Sequence, residues 1–167
     1  MMTEASTRVP IWVRAALFIV VVPGAIAGWL PWYFARPRPP RIDGLLGVGG
    51  AALALLGWAV LLWCARDFAV RGRGTPAPYD PPRKLVVDGL YRFVRNPMYV
   101  GVVASIVGQA AVYRSRTVLW YAGFALLAFH LRVLIYEEPK LTELFGKAFA
   151  DYRAHVPRWI PRFARRR

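Results

Sequence analysis

Gly44-Leu-Leu-Gly-Val-Gly-Gly-Ala-Ala-Leu-Ala-Leu-Leu-Gly-Trp-Ala-Val-Leu-Leu-Trp-Cys-Ala65 contains no charged residue. A bilayer core about 30 Å thick needs about 20 apolar residues per helix. The stretch therefore predicts a membrane-spanning helix from about Asp43 to Ala65. Gly47/Ala51 and Gly50/Ala54 give it a small-residue face suited to close helix packing. Trp58 and Trp63 anchor its far end, as aromatic residues do at bilayer interfaces.

Working outward, the chain before it repeats the pattern. Ile11 to Phe34 holds one charge, Arg14, and predicts a first helix that Pro23 kinks. Gly24 and Gly28 form a second small-residue face, and Trp29, Trp32 and Tyr33 an interfacial belt. This span is too long for a signal-peptide core and lacks a small-residue cleavage site, so it reads as a retained helix. Arg36 to Arg41 is a short Pro/Arg turn.

Downstream, Arg66 to Asn96 is polar. Gly72, Gly74, Pro76, Pro78, Pro81 and Pro82 predict that its first half is irregular, with Lys84 to Asp88 briefly extended. Connections this long tend to be functional or disordered. A third apolar span, Met98 to Tyr113, is about 24 Å long at 1.5 Å per residue, short of the bilayer core. It meets a fourth, Thr117 to about Glu138, through Arg114-Ser-Arg116, as a short hairpin. In the tail, Leu141, Leu144, Phe145, Ala148, Phe149 and Tyr152 share one helical face, and Lys140, Glu143, Lys147, Asp151 and Arg153 the other. This predicts an amphipathic helix lying on the membrane surface, ended by Val156-Pro-Arg-Trp-Ile-Pro.

The expectation is one all-α membrane domain over 1–167. It has about four transmembrane helices, the last two a short hairpin, plus a C-terminal interfacial helix. Residues 1–66 form an N-terminal helix pair and 67–167 a catalytic half. The 57% apolar composition of the 167-residue chain agrees, since soluble proteins hold about 45–50%. The formal charge of +14 would suggest nucleic acid in a soluble domain, but the basic residues alternate with apolar spans and suit anionic lipid instead. Two Lys/Arg precede or enter the first helix, seven lie in 66–97 and eight follow Glu138, against three and two in the short turns. The positive-inside rule then places both termini and the long loop in the cytoplasm. Cys64 is the only cysteine, which excludes an intrachain disulfide and a thiolate zinc site.

Chemistry concentrates in two segments on the cytoplasmic side. Gly89-Leu-Tyr-Arg-Phe-Val-Arg-Asn-Pro-Met-Tyr-Val-Gly101 enters the third helix, with Asn96 as cap and Pro97 at the first helical position. A structural cap with phosphate-gripping arginines is the plain reading. Glu137-Glu138 ends the fourth helix. Acids at membrane depth are rare and usually functional. Adjacent on a helix, these two point about 100° apart and can serve different partners, or simply neutralise Arg92, Arg95 or Arg132. His130 lies seven residues before Glu137, on the same face; a lone membrane histidine is more often a packing residue than a catalyst. No dinucleotide or phosphate loop, no metal-ligand spacing and no nucleophile elbow is present.

Together, Gly-x-Tyr-x-x-x-Arg-Asn-Pro-x-Tyr-x-Gly, then Glu-Glu-x-x-Leu-x-x-x-Phe-Gly, then Val-Pro-x-x-x-Pro resemble the integral-membrane methyltransferases, a group holding the isoprenylcysteine carboxyl and phospholipid N-methyltransferases. The resemblance covers about Asp67 to Pro161. It implies S-adenosylmethionine as cofactor and no metal. It implies a lipophilic, lipid or lipidated acceptor. The charge distribution argues for no nucleic-acid partner, and the small-residue faces permit a homo-oligomer. The residues the resemblance places at the cofactor are Tyr91, Arg95, Asn96, Pro97, Tyr99, Gly101, His130, Glu137 and Glu138, with Arg95, Glu138 and Arg153 at the reaction. Asn96 stands where better-known members carry His, so no proton passes through it. His155 stands where the family usually carries Arg, which weakens the case for a prenylcysteine acceptor unless Arg153 or Arg158 substitutes. An NADPH-dependent sterol-reductase-like enzyme and a non-enzymatic membrane protein stay as alternatives.

Overall fold

The structure, a computed structural model, describes residues 10–72 and 84–161. Among them every regular element is helical. Helix α1 (Ile11–Gly24) runs through a π turn (Ala25–Trp29) into α2 (Leu30–Ala35). Helix α3 (Gly44–Asp67) continues through a second π turn, Phe68–Gly72. A 3-10 turn, Gly89–Arg92, precedes α4 (Pro97–Val112). Then α5 (Arg116–Arg132), a third π turn (Val133–Glu137) and α6 (Glu138–His155) follow without a gap.

Three runs are long and apolar enough to cross a membrane: Ala16–Ala35, Gly44–Gly72 and Arg116–His155. By length and composition the chain is a membrane protein, and α4 is the shorter apolar helix. Its side chains explain its place. Gly101, Val102, Ser105, Ile106, Gly108 and Ala110 are all buried, and Val102, Ile106 and Ala110 share a core with Ala27, Leu61, Val118 and Ala122 from the surrounding helices. Helix α4 is thus the axis of the bundle.

It meets α3 backbone to backbone. A Cβ on Gly108 would lie 2.5 Å from the Ala54 amide nitrogen, and one on Gly57 2.6 Å from the Ser105 nitrogen. Only glycine permits that approach. Of the small-residue faces read in the sequence, Gly50/Ala54 serves this contact. Gly47 packs on Arg41 and Ile42 instead, and a Cβ on Gly24 or Gly28 would find only ordinary contacts at 3.5 and 3.7 Å.

Two departures from the sequence reading have clear causes. First, Arg66–Gly72 is helical, not irregular. Asp67 is fully buried and pairs with Arg71 one turn later at 3.4 Å, which carries the helix past the apolar span; the Pro/Gly cluster at 74–82 lies outside the described residues. Second, α5 and α6 form one helical run, broken only in backbone direction at Gly146, with φ 49° and ψ −120°. The tail's apolar face is divided accordingly: Phe149 is buried, while Leu144 is 45% exposed.

The π turn after Pro23 releases backbone carbonyls inside the apolar layer, where each unsatisfied group is costly. Tyr121 Oη donates to the Ile26 carbonyl at 2.9 Å, and Gln109 Nε2 donates to the Ala27 carbonyl. The two short turns close one end of the bundle. Arg41 N donates to the Val112 carbonyl at 2.9 Å, and Arg114 pairs with Asp43 at 3.2 Å. The twin acids are elsewhere, at the start of α6.

Candidate active site

Glu137 and Glu138 stand at the junction of the third π turn and α6. Such insertions recur at functional sites because they rotate one helix segment relative to the next. Here the two carboxylates serve separate partners. Tyr99 Oη donates to Glu137 Oε1, and Arg132 Nε donates to the same oxygen at 2.9 Å and to Tyr99 Oη at 3.1 Å. Glu138 accepts from Arg95 Nη1 at 2.9 Å and from Arg158 twice, at 2.8 and 3.0 Å.

The second group is the more consequential. The side chains of Arg95 and Glu138 are 10% and 11% exposed. Two cations on one largely buried carboxylate leave an excess positive charge there. Burial pulls the Arg95 guanidinium below its ordinary pKa, while Glu138 opposes that shift. The Arg158 guanidinium is raised by its bonds to Glu138. Arg95 Nε is buried with no hydrogen-bond partner among the described residues, an open donor beside the paired charges.

Backbone contacts hold the tail on this site. Arg95 N donates to the Pro157 carbonyl at 2.9 Å, and Asn96 Nδ2 donates to the Arg158 carbonyl at 3.1 Å. Val156 leaves the helix in extended backbone, φ −111° and ψ 123°, and the prolines that follow keep the strap from becoming helical. Aromatic rings adjoin the acids. Tyr99 stacks on Phe129 at 4.4 Å and lies 6.5 Å from Trp159. Trp159 Nε1 donates to His130 Nδ1 at 3.0 Å.

The structure therefore gathers Arg95, Asn96, Tyr99, Glu137 and Glu138 in one cluster, with His130 joined through Trp159. Pro97 starts α4 beside them. Asn96 occupies the cap position, but its side chain makes no cap bond; the strap carbonyl takes its donor instead. Tyr91 contributes mainly backbone. Its ring is buried with Cys64 and Val86, edge-on to Phe68 at 5.6 Å, and that burial pushes its phenol well above its ordinary pKa. Its carbonyl accepts from Tyr152 Oη at 2.6 Å. Gly101 faces α3, against Gly57 and Val60, as a packing residue. Arg153 is exposed and makes none of these bonds; Arg158 is the tail arginine that reaches Glu138.

Phe129 and Trp159 are members of the cluster that motif reading left out. The signal for Trp159 was an aromatic residue held between two prolines directly after a helix.

The chain is similar in sequence to several known proteins. The chain is 30% identical over 119 residues to the cobalt-zinc-cadmium resistance protein CzcN of Cupriavidus metallidurans, covering 71% of this chain and 49% of that one. It is 27% identical over 161 residues to methanethiol S-methyltransferase 2 of Bradyrhizobium diazoefficiens, covering 95% and 52%. Against the protein-S-isoprenylcysteine O-methyltransferase of Schizosaccharomyces pombe, identity is 32% over 77 residues, 46% and 33% of the two chains. The chain thus spans about a third to a half of the length of these curated relatives. A family model described as phospholipid methyltransferase matches residues 45–148, which carry the α3–α4 contact, the Arg-Asn-Pro entry to α4 and both acids. That match extends over more than half of the chain, and the protein belongs to the phospholipid methyltransferase family.

Proposed function

We propose that the protein transfers a methyl group from S-adenosylmethionine to a lipophilic or amphipathic acceptor at the cytoplasmic membrane boundary. The carrying observation is the split acid pair beside the buried Arg95 Nε, which has no hydrogen-bond partner among the described residues. The residues fit the cofactor's charges. Arg95 and Arg158 suit a carboxylate, Glu137 and Glu138 suit an ammonium, and the Tyr99, Phe129 and Trp159 rings offer a wall for a flat base. When bound, S-adenosylmethionine supplies a methyl group made electrophilic by its sulfonium sulfur. Methyl transfer needs in-line positioning and electrostatic support. Arg95, Tyr99 and Glu138 would provide these from rigid helix ends, with Asn96 and the strap holding the tail in place.

Four spans fit this reading, with α4 and α5 as the short hairpin, α6 at the interface, and both termini and the cluster on the cytoplasmic side. A charged cofactor from water then meets a substrate dissolved in lipid. Residues 67–167 supply the catalytic half and 1–66 its helical support. A relative matched over 95% of this chain is named methanethiol S-methyltransferase 2, which supports a thiol among the candidate acceptors, beside carboxylate, amine and phenol.

Calorimetry in detergent with S-adenosylhomocysteine tests the reading. Binding by the parent chain, abolished in Glu138→Ala, is expected; absence of binding by the folded parent would overturn it. Mass spectrometry of lipids and proteins after labelling with methyl-deuterated methionine, with and without the gene, would identify the acceptor.

A further inference from the structure

A cleft of about 550 Å³ lies away from the acid cluster, lined by Trp63, Arg71, Asp88, Gly89, Leu90, Arg92 and Phe93. None of the residues bonded to Glu137 or Glu138 lines it. Its volume falls in the ~300–1,000 Å³ range of small-ligand sites.

Its wall is fixed by a buried acid. Asp67 is fully buried, and neither carboxylate oxygen has a hydrogen-bond partner among the described residues. Its carboxylate fills the space where a Cβ on Gly89 would be, and Gly89 has φ +63°. The turn therefore packs directly on Asp67. Arg71 is steered by Asp67 at 3.4 Å and Asp88 at 3.7 Å. Arg92 differs: it is exposed, lies 4.5 Å over the Phe93 ring, and has no carboxylate partner among the described residues.

Among the described residues, the charges at the cleft and its wall are Arg66, Arg71 and Arg92 against Asp67 and Asp88, leaving one positive charge in excess. Exposed apolar side chains adjoin the cleft. Trp63 is 54% exposed one turn before the end of α3, and its apolar neighbours Leu62 and Val70 are 55% and 64% exposed. A free soluble anion would have no use for those surfaces, whereas acyl chains would cover them.

We propose that this cleft is a binding site for an anionic phospholipid. The phosphodiester lies against Arg92 and Arg71, and the chains run along Leu62, Trp63 and Val70. One excess positive charge matches one phosphodiester better than it matches a zwitterionic headgroup. The site is distinct from the methyl-transfer cluster and does not depend on that reading.

The test is native mass spectrometry of the full-length protein in mild detergent, titrated with phosphatidylglycerol or phosphatidylethanolamine. Phosphatidylglycerol should bind more tightly. Arg92→Glu should weaken it by at least about fivefold, given what one basic side chain contributes at an anionic surface. Trp63→Ser should weaken it with the charges intact. Arg114→Glu, at the opposite turn, should leave it unchanged. Equal binding by Arg92→Glu and the parent, or of the two lipids, would overturn the proposal. So would displacement of the lipid by millimolar inorganic phosphate, which would mark a free-anion site.

Discussion

Helix α4 meets α3 through glycines and meets the α6 start and the tail through charged side chains. On the α3 side, Gly50, Gly57, Gly101 and Gly108 bring two backbones together with no room for a Cβ. On the other side, Arg95, Tyr99 and Asn96 reach across to Glu138, Glu137 and the Arg158 carbonyl. The first contact depends on shape, so a small volume change damages it. The second depends on charge balance, so removing one partner leaves the others uncompensated. A chemical site placed on the second rests on a scaffold supplied by the first.

The sharpest way to break this contrast is at Glu138. Glu138→Ala strands Arg95 and Arg158, and loss of one partner from a buried ion pair costs about 3–5 kcal/mol. Chemical unfolding in detergent should show a loss of that order together with loss of S-adenosylhomocysteine binding. Retention of both would remove the charge-balance account.

A smaller effect is expected on the glycine side. Gly57→Val forces α3 and α4 apart at a cost of about 1–3 kcal/mol. The thermal midpoint should fall, while the folded fraction keeps its ligand affinity. An affinity loss matching that of Glu138→Ala would mean that the two contacts are not separable.

Tyr152→Phe removes one hydrogen bond to the Tyr91 carbonyl, worth about 0.5–1.5 kcal/mol. Its effect should appear as faster amide exchange in 89–92 with little change in global stability. Arg153→Ala is the smallest. An exposed residue outside the network should shift stability by less than about 0.5 kcal/mol, with ligand binding intact, whereas Arg158→Ala should weaken binding measurably. If Arg153→Ala instead abolished binding, the tail's role would need reassignment from Arg158.

Much of the candidate cluster was legible because its residues sit in local motifs. Asn96-Pro97 marked the start of α4, and Glu137-Glu138 stood out as acids inside an apolar, basic chain. Trp159 was not legible, since its partner His130 lies 29 residues away. Arg158 was legible only as a stand-in beside Arg153; its bond to Glu138 spans 20 residues and no local pattern marks it. Gly101 looked like part of the motif's site, but its missing side chain is what α3 needs. The Arg66–Gly72 extension was hidden because glycines and prolines beyond it outweighed the Asp67–Arg71 pair in a local reading.

The sequence by itself determined the apolar spans, their spacing, the basic asymmetry and the two chemical segments. Those follow from composition and from periodicities that neighbouring residues enforce on their own backbone. Only the tertiary structure decided that α4 is the buried axis and that the tail straps across the acids. It alone divided Glu137 and Glu138 between different partners. These are relations between residues far apart in the chain, set by helix contact and by the phase shift of π turns, which no local pattern of residue types encodes.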